Sequence, residues 1–352
     1  MASLTLFDWS RRVGGEGNID TIAELLSQAN EIFKDALWKE SNLPTGHKYT
    51  LRTGLPTGTW RTANSGTGYT KSTTAQLEDG FGVLTAWSQI DKHIAELNGD
   101  VAGARLSEDS AHMEGLSQQM AQAMVYGNTA TVQGQFTGLA PRYSNIAALA
   151  NGATYQNSQN ILNAGGSTSA SQTSIWMVGW GDETVFGIFP KGSRAGLVFE
   201  DRGDVVPAYD ANNNPYLAYT SYFEWKAGLV VRDWRYAVRI ANIDTTTATN
   251  GLQGAVPPDL FALLARAVTR FPTFTKRVSG ITETDAPDEP SPGINAAIYA
   301  NRTSREFLDI QAIRDKNVLL TPKEYAGEPV VEFRGVPIRV VDAILNTEAV
   351  IS

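Results

Sequence analysis

The sequence predicts an α+β protein built from two or three structural units, together with one long projection that has no core of its own. The chain has 352 residues, of which 42% are hydrophobic, so it can bury more than one core. Apolar residues recur at helical spacing in several segments, whereas residues 174–243 consist of short apolar runs separated by turn residues. Residues 48–74 differ from both, because threonine and glycine dominate them and large apolar side chains are few.

The composition excludes several classes of protein. A net charge of −8 argues against a free DNA-binding protein, although it permits a protein that encloses nucleic acid without binding it tightly. The chain has no cysteine, so disulfides, thiolate nucleophiles and cysteine-ligated metals are excluded. No signal peptide and no apolar run long enough for a membrane span are visible. We therefore expect a protein that is made and used in a cytoplasm-like compartment.

Three segments in the first 130 residues predict helices with one buried face. Residues 20–37 are amphipathic and follow a polar leader that contains glycine. Residues 77–97 carry five apolar side chains at helical spacing, and residues 104–126 predict a longer helix with its N-cap near Ser107. The expected core face of this long helix consists of Leu106, Met113, Leu116, Met120 and Met124.

Residues 48–74 predict a two-stranded projection. Threonine, tyrosine and tryptophan favour strands, and the glycines and Pro56 mark turns. The stretch NSGTGYTKST at residues 64–73 is not a phosphate-binding loop, because Lys71 follows a threonine and lacks the required glycine spacing. An isolated two-stranded hairpin is marginally stable in water, so this arm makes physical sense when it docks on another chain.

The residues that usually carry catalysis form no recognisable site. The three histidines, at positions 47, 93 and 112, belong to no metal-binding motif, and no nucleophile motif lies in a strand–turn–helix context. Residues 280–292 form an acidic, proline-rich segment without the spacing of a calcium loop. We expect no catalytic residue, no cofactor and no metal, and an unrecognised hydrolase remains an alternative because many acidic pairs are present.

Four segments resemble tailed-bacteriophage major capsid proteins. NEIFKDALWKESNLPTGHKYTLRTGLPTGTWRTANSG at residues 30–66 resembles their N-terminal arm and extended loop, and QFTGLAPRY at 135–143 is similar to the segment after their spine helix. FEWKAGLVVRDWRYAVRIANID at 223–244 and GEPVVEFRGVPIRVVDAIL at 327–345 also look like family segments. Each pattern is loose alone, but their succession covers most of the chain.

The resemblance implies the α+β Hong Kong 97-like phage capsid fold, in which hexamers and pentamers tile an icosahedral shell around double-stranded DNA. A shell protein of this kind would be a virion component that is assembled in the host bacterial cytoplasm. An encapsulin-like nanocompartment shell is the alternative within the same fold. The implied units are an N-terminal arm (1–42), an extended loop (43–80), a peripheral domain with a spine helix (81–250, helix 104–126) and an axial domain (251–352).

The resemblance also implies partners. The chain begins almost at the arm, so a separate scaffolding protein is expected, along with a portal protein and, on some shells, a cement or decoration protein. DNA would be enclosed without sequence-specific contact, and no membrane is involved. The segment order differs from the common arrangement, so we expect a rearranged topology in which peripheral strands are visited mid-chain.

The projecting arm would supply the contacts between subunits. Trp60 and Tyr69 are the expected apolar contacts, because aromatic side chains bury a large area with few torsions. Arg52, Arg61 and Lys71 would meet acidic groups of the neighbour, unless the arm stays solvated and its charges contribute little. Some relatives join an extended-loop lysine to a neighbour's asparagine, but no asparagine partner for Lys71 is marked, so we expect non-covalent interlocking.

Overall fold

The computed structural model describes residues 28, 30–97, 99–146, 157–167, 170–201, 206–209, 212–246, 251–272, 294–314, 321–325 and 328–351. Most of the expected N-terminal helix and all of the acidic segment 280–292 lie outside these residues. The described helices are α1 (Ile32–Asp35), α2 (Lys92–Glu96), α3 (Val101–Tyr126), α4 (Leu139–Arg142), α5 (Leu260–Arg270) and α6 (Arg302–Arg314). Among the described helices, none is both long and apolar enough to cross a membrane.

The strands form one large branched sheet and one separate hairpin. The hairpin consists of β2 (Gly46–Gly54) and β3 (Thr73–Gly80). The large sheet contains β1 (Trp38–Glu40), β4 (Gly82–Asp91), β5 (Ile161–Asn163), β6 (Gln172–Trp180), β7 (Val185–Phe189), β8 (Leu197–Asp201), β9 (Val206–Tyr209), β10 (Pro215–Val231), β11 (Ala237–Asp244), β12 (Asn295–Ala300), β13 (Thr321–Tyr325), β14 (Glu328–Phe333) and β15 (Val336–Val340).

Strand β6 lies at the centre of the fold and is buried along its whole length. It pairs antiparallel with β11 on one side and with β12 on the other. Successive side chains of a strand point to opposite faces. Accordingly Trp176 and Val178 enter the core formed with α3 and α4, whereas Ile175 and Met177 enter the core formed with α5 and α6. The apolar run at residues 175–180 of this strand is typical of a sheet that is covered on both faces.

Strand β10 joins the two parts of the sheet. Its first 13 residues pair with β4, β8 and β9, and its last four pair with β7 beside the central strands. Helix α3 packs over both parts: its C-terminal half covers the central sheet, and its N-terminal half lies on β4, β8 and β10. Helix α3 and strand β10 therefore both connect the central part of the sheet with the part formed by β4, β8 and β9.

The long helix begins earlier than the sequence predicts and buries the expected face only in its C-terminal half. Its N-cap is Asp100, whose carboxylate accepts a hydrogen bond from the Gly103 amide at 2.9 Å, and not Ser107. The side chains of the C-terminal half match the expected face, since the exposed fractions are only 4%, 2% and 1% for Leu116, Met120 and Met124.

Two of the expected core residues of this helix are exposed, Leu106 at 66% and Met113 at 38%. The N-terminal half of the helix instead packs through small and polar side chains. Arg105 contacts Asp201 and donates to the Ser221 hydroxyl at 3.1 Å, and that hydroxyl donates to buried Asp109 at 3.0 Å. Apolar spacing therefore predicts the wrong buried face for the N-terminal half of the helix. Polar side chains form the buried face there, whereas the spacing rule assumes that polar side chains face solvent.

The predicted helix over residues 77–97 is wrong. The segment contains the end of β3, all of β4 and only a short terminal helix, α2. Buried Ser88 and Ile90 alternate with exposed Trp87 along β4, as expected for a strand with one covered face. The apolar spacing resembled that of a helix, but pairing with β10, more than 120 residues later, decides the structure.

A buried polar network fixes the C-terminal segment to the sheet. Arg239 of β11 and Glu348 form an ion pair at 2.7 Å, with side chains only 4% and 5% exposed. Arg239 also donates to the Ser174 hydroxyl at 3.0 Å, and Tyr126 at the end of α3 donates to Glu348 at 2.5 Å. Strand β6, the spine helix and the C-terminal segment therefore meet at one point.

The sheet does not divide at residue 250, where the resemblance implies a boundary between peripheral and axial domains. Strand β12 pairs with β6, and β15 pairs parallel with β12, so the strands that follow residue 250 continue the same sheet as the strands that precede it. One core correspondingly combines α5 and α6 with side chains of β6 and β11. The expected block 251–352 is thus part of a larger unit that also contains earlier strands.

We expect Met120→Asp to cost several kcal/mol, because it places a carboxylate without a partner in the core between α3 and the central sheet. Met113→Asp is the matched control, since it makes the same change on the same helix at a partly exposed position. Urea denaturation of both soluble subunits would measure the difference. Equal stability of the two variants would contradict the buried face described here.

Candidate functional site: the extended hairpin and its anchor

Strands β2 and β3 form a two-stranded sheet of their own that leaves the body of the protein. They pair antiparallel from Gly46–Gly80 to Gly54–Thr73, with an irregularity near the outer end. Gly46 is required by the close approach of the strands, because a Cβ there would lie 2.5 Å from the Asp79 carbonyl oxygen. The predicted projection is therefore present in the isolated chain.

The tip of the hairpin, residues 55–72, contains neither helix nor strand and is exposed throughout. Trp60 and Tyr69 are as exposed as free side chains, at 102% and 108%, and Leu55 is 76% exposed. No described contact brings the expected interface residues together. The expected interface role of Trp60 and Tyr69 stays a prediction, and the isolated chain offers them no apolar contact within the described residues.

The tip is positively charged although the chain is acidic. Residues 52–72 contain Arg52, Arg61 and Lys71 and no acidic residue, so this segment carries +3 and the rest of the chain carries −11. All three cationic side chains are exposed, and none forms an ion pair with a residue that the structure describes. The charge separation favours contact between the tip and an acidic surface.

The base of the hairpin is anchored by polar contacts. Asp79 of β3 and Arg142 of α4 form an ion pair at 2.8 Å, and both side chains are about 15% exposed. Arg142 also donates to the carbonyl oxygens of Thr137 and Leu229. The Tyr49 hydroxyl lies 3.1 Å from Asp79 and 3.2 Å from the Val231 carbonyl oxygen. These contacts fix the direction in which the hairpin leaves the body.

An apolar cluster supports the same base. Tyr49 packs with Phe186, Ile188 and Val230, and the His47 ring lies edge-on to Phe186 with centroids 5.3 Å apart. Burial lowers the pKa of His47 below its ordinary 6.5, and the positive charges of Lys39 and Arg232 lower it further. Burial likewise raises the pKa of Tyr49, and the Asp79 charge adds to this effect, so Tyr49 stays a neutral donor.

The composition of residues 48–74 indicates the exposed tip, but nothing in the sequence marks Tyr49, Asp79 and Arg142 as the anchor residues. Arg142 lies in the quoted QFTGLAPRY segment, which was the one available signal, yet nothing there marks Asp79 as its partner. The two residues are 63 positions apart, and the chain has 37 acidic residues. Their pairing depends on the three-dimensional fold.

A groove of about 520 Å³ lies between α3, the start of β4 and residues 127–136. Its lining contains three glutamines and Tyr126 but no histidine, carboxylate, lysine or arginine. Burial and the Glu348 charge raise the pKa of Tyr126, which makes it unsuitable as a base. Among the described residues, no three histidine or acidic side chains are grouped to hold a metal ion. This groove gives no support to hydrolysis.

The comparisons match this arrangement to phage capsids. A chain in the structure of bacteriophage Epsilon15 aligns over 100% of this chain and 98% of its own, at 30% identity and a TM-score of 0.72. The bacteriophage JBD30 capsid aligns over 91% and 93% at 9% identity and a TM-score of 0.45. An encapsulin from Synechococcus elongatus covers 65% of this chain and 93% of its own, at 10% identity and a TM-score of 0.39. No curated protein sequence matches.

The match to the Epsilon15 chain identifies the fold as the Hong Kong 97-like α+β fold of phage capsid proteins. The projecting hairpin and the long helix α3, which is the spine helix of that fold, agree with this assignment. The family model of the major capsid protein GP7 matches residues 14–352, and the chain belongs to that family. It is therefore a structural component of a phage virion, which confirms the resemblance drawn from the sequence. The encapsulin and hydrolase alternatives are not favoured.

We expect the subunit to lose stability as the pH falls below about 6.5, with part of this loss due to His47. The pKa of His47 is lower in the folded state than in the unfolded state, so the unfolded state binds more protons in this range. Its contribution is therefore complete above pH 6.5 and decreases as the pH falls toward the lowered pKa. His47→Gln should remove this part, whereas His93→Gln, at an exposed position, should not. Thermal unfolding at several pH values tests this, and identical pH profiles for wild type and His47→Gln would contradict it.

Proposed function

We propose that this capsid protein forms hexamers and pentamers that tile an icosahedral shell around the double-stranded DNA of a tailed bacteriophage. The observation that carries the proposal is the hairpin tip, which has fully exposed aromatic side chains and no acidic residue. In this proposal the tip of each subunit docks on a neighbouring subunit. The interlocking of many such arms closes the shell.

The aromatic residues supply the apolar part of this contact. Trp60 and Tyr69 can each bury roughly 150–250 Å² in an interface. At about 25 cal/mol per Å², complete burial of either side chain contributes several kcal/mol before the cost of ordering the tip. That is enough to stabilise an arm that is marginal by itself.

The cationic residues supply orientation. The residues outside 52–72 carry a net charge of −11, so a neighbouring copy attracts the cationic side chains of Arg52, Arg61 and Lys71. Exposed ion pairs contribute little free energy individually, typically under about 1 kcal/mol. Complementary charge nevertheless accelerates correct encounters and disfavours wrong registers.

The other partners follow from the same function. We infer a scaffolding protein on a separate chain, a portal protein and, on some shells, a decoration protein. Assembly would take place in the host bacterial cytoplasm. Phosphate neutralisation by cations dominates affinity for DNA, so an acidic chain suits a container that holds its DNA without tight, sequence-specific contact.

The structure supports a revised division of the chain for this function. Residues 1–42 would be the N-terminal arm and residues 43–80 the extended loop. The peripheral domain would combine α3 with β4, β8, β9 and the first part of β10, because these strands pair with one another. The axial domain would combine the central strands around β6 with α5 and α6, which share one core.

We expect deletion of residues 54–68 to leave a soluble subunit that cannot form closed shells, because the docking surface is removed while both cores remain. The double charge reversal Arg61→Glu with Lys71→Glu should also reduce the yield of closed shells, because the tip would then repel the acidic neighbour. Lys191→Glu with Arg194→Glu is the matched control, since it changes the net charge equally at exposed positions outside the hairpin. Negative-stain electron microscopy would count the shells. Normal shells from the deletion variant would refute the docking role.

We further expect the capsid protein of mature particles to run on a denaturing gel as a monomer band near 38.1 kDa, because interlocking by the tip is non-covalent. A ladder of larger bands would indicate a covalent bond between subunits. Collapse of that ladder in Lys71→Ala particles would identify Lys71 as its source and contradict this prediction.

A further inference from the structure

Three arginines converge on one surface of the axial region. Arg266 and Arg270 of α5 and Arg334 of the turn between β14 and β15 line a concavity of about 480 Å³. All three side chains are exposed. None of them forms an ion pair with a carboxylate among the residues that the structure describes. Three like charges thus share one concavity in an acidic chain.

The arrangement is held by contacts on each element. Arg270 donates to the carbonyl oxygens of Gln159 and Ile161, which directs its guanidinium. The Arg334 guanidinium lies 5.6 Å from the centroid of the Phe333 ring, and Phe333 packs against Phe261 of α5 at 5.8 Å. The turn is therefore positioned against the helix, which places Arg334 in the concavity that Arg266 and Arg270 also line.

The backbone at Arg334 is unusual. Arg334 and Gly335 have φ angles of 51° and 80°, so both residues of this two-residue turn are left-handed. Asparagine, aspartate and glycine are the residues that normally occupy such positions. An arginine with positive φ is uncommon, and such outliers are concentrated at functional positions.

The helix dipole explains only part of the cluster. Cations near the C-terminus of a helix interact favourably with its carbonyl groups, and this accounts for Arg266 and Arg270. It does not account for Arg334, which comes from another element. Burial and the Arg266 charge lower the pKa of Arg270, which is the effect expected where two like charges lie close together.

We propose that Arg266, Arg270 and Arg334 form a binding site for a phosphate group, either free or in a nucleic-acid backbone. A guanidinium donates two parallel hydrogen bonds to oxyanions, and phosphate presents several oxygens in different directions. It can therefore accept from three guanidinium groups on different sides, whereas the two oxygens of a carboxylate lie in one plane. The site is independent of the hairpin contact, so its test does not depend on shell assembly.

The test uses the full-length subunit with two probes, inorganic phosphate in calorimetry and a labelled DNA duplex in fluorescence anisotropy. Arg334→Asn keeps a residue that tolerates the left-handed turn, and Arg266→Gln changes an exposed helix position. Each should weaken phosphate binding about fivefold or more, by loss of a charge-assisted contact. Arg194→Gln, an exposed arginine outside the site, should bind as wild type does. Circular dichroism would verify that all variants are folded.

The two probes distinguish the source of the phosphate. If the duplex binds, each variant should reduce the dependence of log K on log salt by about one phosphate contact, which assigns the site to the nucleic-acid backbone. If only inorganic phosphate binds with the same variant dependence, the site serves a free anion. Equal binding by wild type and both variants, or an equal loss in Arg194→Gln, would overturn the proposal. A glutamate-rich peptide that binds with the same variant dependence and displaces phosphate would also overturn it, by identifying a carboxylate site.

Discussion

The buried pair of Arg239 and Glu348 is the constraint on which the rest of the body depends. A guanidinium in the middle of a covered sheet is tolerated when its charge and its donors are matched, and removing one partner of such a pair costs about 3–5 kcal/mol. Glu348 supplies the charge, and Ser174 and the Tyr143 carbonyl oxygen accept the remaining hydrogen bonds. Because Tyr126 binds the same carboxylate, the end of the spine helix is fixed by the same pair. The C-terminal segment is thus an integral part of the core.

The hairpin tip differs from the body, because its apolar and charged side chains are exposed. In the body, two cores bury most of the largest apolar side chains, and Asp79 and Arg142 form an ion pair at the anchor. Beyond Gly54, the tip displays apolar area and positive charge, and its cationic side chains form no ion pair with the residues that the structure describes. The free energy of folding therefore comes from the body, whereas the tip can contribute only through contact with another molecule. Such a division suits a subunit that must fold alone before it assembles.

The sequence predicts an element correctly where the spacing of nearby residues determines its structure. It does not do so where pairing with a distant segment determines the structure. The spine helix was predictable because apolar residues recur over several turns, and Leu116, Met120 and Met124 are indeed buried. Leu106 and Met113 were misassigned because Arg105 and Asp109 bury a polar face that hydrophobic spacing cannot reveal. Strand β4 was mistaken for a helix because its partner lies far along the chain. The exposed tip could be read from composition, but its anchor required the fold.

Strand β10 has a mechanical consequence. At about 3.3 Å per residue, its 17 residues extend over roughly 56 Å without a break. Its hydrogen bonds to neighbouring strands run across this direction, so tension along the strand loads many of them in shear at once. In the closed shell that we propose, internal pressure would stretch the subunits tangentially. A continuous strand that spans both parts of the sheet would resist a load along its own axis, where a loop at the same place would lengthen.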